Sequence, residues 1–178
     1  MIEALLAGPV IPAARGLLGR CLVSDIGGTR TAVVLTEVEA YDGADDPASH
    51  AYRGPTRRNT SMFKGPGTLY VYRSYGIHWC MNVVCGPAGT ASAVLLRGGA
   101  PLDGVEVMTH RRGRTARLAE GPGNLTQALG VTGEHDGMSV LDGPIRIEGA
   151  PVPGEIVASP RVGITLAFDR PWRFVLVR

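Results

Sequence analysis

Glu37 and Glu39 stand two residues apart in the run TEVEAY (36–41), which ends in Tyr41. Side chains along a strand repeat with period two, so both carboxylates and the tyrosine ring share one face. Two acids on one face are costly to bury without partners. The spacing leaves two readings open: the solvent face of an edge hairpin, or a general base with a supporting carboxylate. A second cluster is YVYRSYG (70–76), which holds three of the five tyrosines. Tyr70 and Tyr72 share a strand face, whereas Tyr75 falls at a turn tip, where a ring can stack on a base or wedge into a duplex. Cross-strand packing is the competing reading, stronger for Tyr70 than for Tyr75. Arg53, Arg57, Arg58, Lys64 and Arg73 bracket these rings, and basic groups interleaved with aromatics suit a nucleic-acid surface. Asn82 and Arg97 interrupt otherwise apolar strands, where a polar side chain needs a partner if it is buried.

The elements that must position these groups are short. Residues 10–19 read as a helix with Pro12 in its first turn and Gly19 after its last. CLVSDI (21–26) and TAVVLTEVEAY (31–41) read as a hairpin. Asp46-Pro47 has the signature of an N-cap and first helical residue, opening a helix through His50. Residues 52–67 read as a basic loop, and 68–74 and 77–84 as two strands around a tight turn at Tyr75-Gly76. A strand over 92–98 and helices over 102–113 and 121–130 follow, the first capped by Asp103 or preceded by Pro101, the second ended by Gly130. SVL, IRI, EIVA, RVGITLAF and WRFVLV complete the chain as short strands. The order is not an alternation of strands and helices, so the expected class is α+β with a mainly antiparallel sheet, in a single domain over 1–178.

Composition narrows the classes. The chain has 178 residues, of which 44% are hydrophobic and 19% charged, enough for a core and too few charges for disorder. No apolar run approaches the ~20 residues that span a bilayer. Glu3, Pro9 and Pro12 spoil a signal-peptide pattern. Three cysteines without a CxxC pair suit a reducing cytoplasm, and the four histidines lack HxxxH or HExxH spacing, so no metal is expected. The overall charge of +2 is unevenly spread: −4 over residues 1–49, +7 over 50–120 and −1 over 121–178. A basic middle block suits a phosphate-bearing partner, although a solvated surface has the same composition.

Several stretches together resemble the alkyladenine (3-methyladenine) DNA glycosylase family: LLGRCLV (17–23), TEVEAYDGADDPASHAYRG (36–54), RRNTSMFKGPGTLYVYRSYGIHWCMNVV (57–84), AVLLRGGAPLDG (93–104) and EGPGNLTQALGV (120–131). EAY with His50 after eight intervening residues, then YVYxxYGxxxCMN, is a specific combination. The resemblance implies a curved sheet with a protruding, DNA-inserting β-hairpin. It implies that Glu39 is the general base, with Arg97 and the Val162 carbonyl helping to hold the attacking water. Tyr41, Tyr72 and His50 would hold the flipped base, with the His50 backbone amide as a donor, and Asn82 would obstruct the exocyclic amino group of guanine. Tyr75 would fill the gap left in the duplex, with Met62 wedged beside it. His78 stands where some members have Tyr, and residues 132–160 match only loosely.

The expected activity is excision of alkylated purines, 3-methyladenine above all, with hypoxanthine and ethenoadenine as further substrates. The expected partner is double-stranded DNA containing a damaged purine, met by a monomer with no cofactor and no membrane contact. The only lysine is Lys64, in the basic loop, so no Schiff-base chemistry is expected and an abasic site would be left. The chief rival is a non-catalytic nucleic-acid-binding module of the same fold. A zinc deaminase would need HxE…PCxxC, and neither half occurs. A sugar hydrolase built on Glu37 and Glu39 would have no use for the basic aromatic block.

Overall fold

The computed structural model describes residues 1–177. Eight strands form one sheet: β1 (Cys21–Ser24), β2 (Thr31–Asp42), β3 (Leu69–Ser74), β4 (His78–Cys85), β5 (Ser92–Asp103), β6 (Ile145–Glu148), β7 (Glu155–Ser159) and β8 (Arg173–Val177). Every pairing is antiparallel, in the order β3-β4-β5-β2-β1-β6. β8 pairs with the middle of β2 and carries β7 outside it. The class is therefore α+β with a curved antiparallel sheet and short helices, as expected. β2 is the centre of the sheet. It meets β5 along one side, and along the other it meets β1 through Thr31–Val34 and β8 through Glu37–Glu39.

The two faces have different cargo. Alternation along the strands sends Leu35, Val38 and Ala40 of β2, Leu69 and Val71 of β3, Met81 and Val83 of β4, and Val94 and Leu96 of β5 into the main core. There they pack with residues of α1 (Ile2–Leu6), α2 (Val10–Leu17), α3 (Val105–Arg112) and α4 (Pro122–Leu129). The opposite face carries a second cluster in which Tyr70, Val84 and Ala93 meet Ala51 and Met62, with Tyr72 and Phe63 against it. Everything singled out for chemistry lies on this second face or at its rim. No helix among the described residues is long and apolar enough to cross a membrane.

Two expectations fail. Asp46-Pro47 does not open a helix; residues 47–53 are turns. The Asp46 carboxylate does accept from the Ala48 amide at 3.2 Å, as a cap would, but its other partner is the Arg161 guanidinium, far along the chain. RVGITLAF is not a strand: residues 161–168 run as bends and irregular backbone, because β2 is already paired on both sides and no free edge meets this segment. Smaller differences are that β5 continues to Asp103, that α3 starts later and is capped at Gly104, and that α1 precedes the first expected helix. SVL contributes only an isolated bridge between Ser139 and Thr68.

Candidate active site

The register between β2 and β5 slips twice around Glu37. Leu35 pairs with Gly99 and Glu37 with Gly98, so Thr36 is left over; Val38 then pairs with Leu96, so Arg97 is left over. Such bulges bend the strand and re-aim side chains. Close approach at this point is possible because β5 has glycine there: a Cβ on Gly99 would lie 2.5 Å from Val33 Cγ2. The result is a compact charge cluster. Arg97 Nε lies 2.9 Å from Glu37 Oε1 and 3.5 Å from Glu39 Oε1, and Arg173 Nε of β8 donates to Glu37 Oε1 at 2.7 Å. Burial pushes the Glu37 carboxyl up, and the hydrogen bonds and charges of Arg173 and Arg97 more than reverse this, leaving it below the usual range. The solvated edge-hairpin reading of the two acids is thereby excluded: they sit on the central strand, and Glu39 is fully buried.

Glu39 is buried with partners for both oxygens. Tyr41 Oη donates to Oε2 at 2.8 Å, and the Val162 backbone amide donates to Oε1 at 2.7 Å. Burial, followed by the nearby carboxylate of Glu39, raises the Tyr41 phenol far above its ordinary range, which keeps its proton available for this bond. Tyr41, Arg97 and Val162 all line a cavity of about 600 Å³. The Glu39 carboxylate is fully buried and does not itself line the cavity; it touches all three of these lining residues.

The rest of the cavity is aromatic and polar. Tyr70 and Tyr72 stack with centroids 5.4 Å apart, and the His50 ring stands edge-on to Tyr72 at 4.5 Å. His50 Nδ1 and Tyr70 Oη are 3.0 Å apart. Burial, and then the Arg58 charge, lower the His50 pKa, so the ring is neutral at pH 7. Burial pushes the Tyr70 phenol up to about 12. Asn82 Nδ2 donates to the Tyr70 carbonyl at 3.1 Å, which turns the side-chain oxygen toward the cavity it lines. The structure thus brings Glu39, Arg97, Val162, Tyr41, His50, Tyr72 and Asn82 together around one space.

Two of the expected insertion residues part company. Tyr75 is 90% exposed at the tip of the β3–β4 hairpin, at the cavity mouth. Its φ of 49° and that of Gly76, 68°, are the left-handed values of a primed hairpin turn. A β-carbon-bearing residue held there is strained by about 1–2 kcal/mol, so the tip keeps a large apolar ring where asparagine or glycine would fit better. Met62, by contrast, is 2% exposed and packs under the cavity with Ala51 and Tyr70. It lines the cavity from within the second cluster and presents almost no surface to solvent in this structure. Arg53, Arg57, Arg58, Lys64 and Arg73 are all exposed, and none forms an ion pair among the described residues. Arg58 and Arg73 line the mouth, while Lys64 lies outside the lining.

Sequence reasoning missed the residues that hold the site. Asn59 Nδ2 donates to the carbonyls of His50 at 2.9 Å and Gly54 at 3.2 Å, fixing the turn that presents His50. Asp136, in the loosely matching segment, accepts from the Val71 amide at 2.8 Å and from the Ser61 hydroxyl. Arg161 is buried against Asp46, with Nη1 on the Ala40 carbonyl at 2.9 Å. Only the NT dipeptide after two arginines hinted at a structured loop; the other two are long-range pairings with no local signal.

Known proteins resemble this chain along most of its length. The family model described as methylpurine-DNA glycosylase matches residues 4–178. A protein of Granulibacter bethesdensis is 51% identical over 93% of this chain and 79% of its own length. One of Rhodococcus jostii is 50% identical over 97% of this chain and 80% of its own, and one of Frankia casuarinae 48% over 94% and 84%. All three carry the provisional name 3-methyladenine DNA glycosylase.

Proposed function

The chain belongs to the methylpurine-DNA glycosylase family, and from that membership and the site's geometry we propose that it hydrolyses the N-glycosidic bond of alkylated purines flipped out of duplex DNA. The observation that carries this is the buried Glu39 carboxylate, gripped by the Tyr41 hydroxyl and Val162 amide beside Arg97, three residues that line an aromatic cavity. A base inside a duplex is out of reach, and flipping it costs a few kcal/mol. Tyr75 offsets that cost by entering the vacated stack, and stacking on Tyr41, Tyr72 and His50 returns about 1–3 kcal/mol per base–aromatic contact. Bond cleavage builds positive charge on the sugar; Glu39 stabilises it and takes the proton of a water held against Arg97. The lowered His50 pKa means that this ring adds no further positive charge beside a methylated, positively charged base. Asn82 stands where the exocyclic amino group of guanine would project.

The exposed basic groups on the mouth side meet the phosphates. No amine lines the cavity, so the reaction ends at an abasic site without strand scission. The enzyme acts as a monomer, in one domain, in the cytoplasm, with 3-methyladenine as its main target and hypoxanthine and ethenoadenine as further ones. The test is base release from methylated duplex DNA and from a duplex with one hypoxanthine. Free methyladenine is expected, with strands intact until alkali is added. Tight binding of both duplexes with no base released would instead make this a binding module. Tyr75→Ala is expected to weaken binding to a hypoxanthine duplex about tenfold, read by fluorescence anisotropy, with little change on undamaged single strands. Unchanged duplex binding would remove Tyr75 from the flipping step.

A further inference from the structure

Behind Tyr41 lies a cation that the reaction above does not use. The Arg161 guanidinium sits 4.6 Å from the Tyr41 ring centroid and 5.3 Å from that of Trp172. Its side chain has no solvent exposure and does not line the cavity, whereas Tyr41 does. Arg161 therefore occupies the hidden side of the ring whose other side faces the base space. It is held there from several directions: by both Asp46 oxygens, by the Ala40 carbonyl between Glu39 and Tyr41, and by the Ala167 carbonyl at 3.5 Å. Arg161 Nε has no partner among the described residues, as expected of a guanidinium placed for its stacking as well as for its hydrogen bonds.

A ring attracts a cation through its negative face. A cation already on one face draws electron density toward itself and weakens the ring's pull on a second cation opposite. The stacking of a neutral purine, which depends mainly on dispersion and desolvation, is much less affected. Asp46 and the Glu39 carboxylate, which accepts from the Tyr41 hydroxyl at 2.8 Å, attenuate the effect, but the guanidinium is the charge that lies over the ring, 4.6 Å from its centroid. We propose that Arg161, pinned by Asp46 behind Tyr41, is a positioning residue that lowers the base pocket's preference for cationic over neutral purines. The inference deepens the glycosylase reading and rests on it for its substrates.

The test compares wild type with the charge-neutral pair Asp46→Asn/Arg161→Gln, which removes both charges together and keeps a hydrogen-bonding group at each position. The readout is a ratio: single-turnover release of 3-methyladenine from methylated DNA over release of hypoxanthine from a duplex. Loss of a cation–π competitor is expected to raise that ratio about two- to tenfold. A merely structural role would slow both releases together and leave the ratio fixed, which overturns the proposal. Arg161→Lys, which keeps the ion pair but cannot lie flat on the ring, is the second variant and should shift the ratio the same way, by less. A binding ratio independent of catalysis, 7-methylguanosine at mildly acidic pH over inosine, is measured on the same proteins. A shift in that ratio without any base release by wild type would keep this inference and sink the glycosylase reading.

Discussion

Glu39→Gln is expected to lower base excision by about 10²–10⁴-fold while a lesion-bearing duplex still binds. The substitution is nearly isosteric, and the surroundings tolerate it. The Val162 amide can only donate, so the glutamine oxygen takes that bond, and the side-chain NH₂ turns to the Tyr41 oxygen, which can accept. What is lost is the negative charge behind Tyr41, Arg97 and Val162 and the capacity to accept a proton from water. Single-turnover release with anisotropy in parallel separates the two. Retained excision would remove Glu39 as the base. Loss of binding together with loss of excision would point to a collapsed site instead, with Arg97, 3.5 Å from Glu39, left to Glu37 alone for its counter-charge.

Asp46→Ala has the second large effect, on stability. Both partners of the Asp46–Arg161 pair have zero side-chain exposure. Removing one strands the other, and breaking a buried pair this way costs about 3–5 kcal/mol. Replacing both by neutral groups costs much less, which is why the double variant is the informative one for specificity. Urea unfolding checks the figure. The sign with pH follows from the carboxyl. Burial raises its pKa, and the Arg161 hydrogen bond and charge, helped by the Ala48 and Asp42 amides, bring it below the ordinary value. A depressed acid contributes stability that is present above its unfolded pKa of about 3.9 and lost as pH falls through the lower, folded value. The acid limb of wild-type stability below about pH 4 should therefore be steeper than that of Asp46→Ala; equal limbs would mean that the pair does not hold in solution.

The hairpins, the sheet class and the helices ended by glycine were legible, because alternation, turn residues and Gly130 each act locally. The residues that the structure gathers around the cavity were named through the family resemblance that EAY, His50 and YVYxxYG carry, and spacing alone left their roles open. The failures are long-range. Asp46 looks like a helix cap from its neighbours, but its geometry is set by Arg161, which is 115 residues away. RVGITLAF has the β-branched content of a strand and no partner to pair with. The two slips between β2 and β5 leave no trace in composition beyond the paired glycines Gly98 and Gly99.

Those slips determine which kinds of change the site can survive. Strand alternation has period two, so losing or adding one residue between Leu35 and Tyr41 exchanges the faces beyond it. Glu39 would then enter the helix-side core, and Val38 or Ala40 would take its place at the cavity's end. A substitution at Thr36 or Arg97 alters one side chain, whereas a deletion there removes the whole constellation at once. The pocket can thus be retuned by exchanging residues, but the number of residues on these two strands is fixed by their register, and an inserted residue has room only in the loops beyond the sheet.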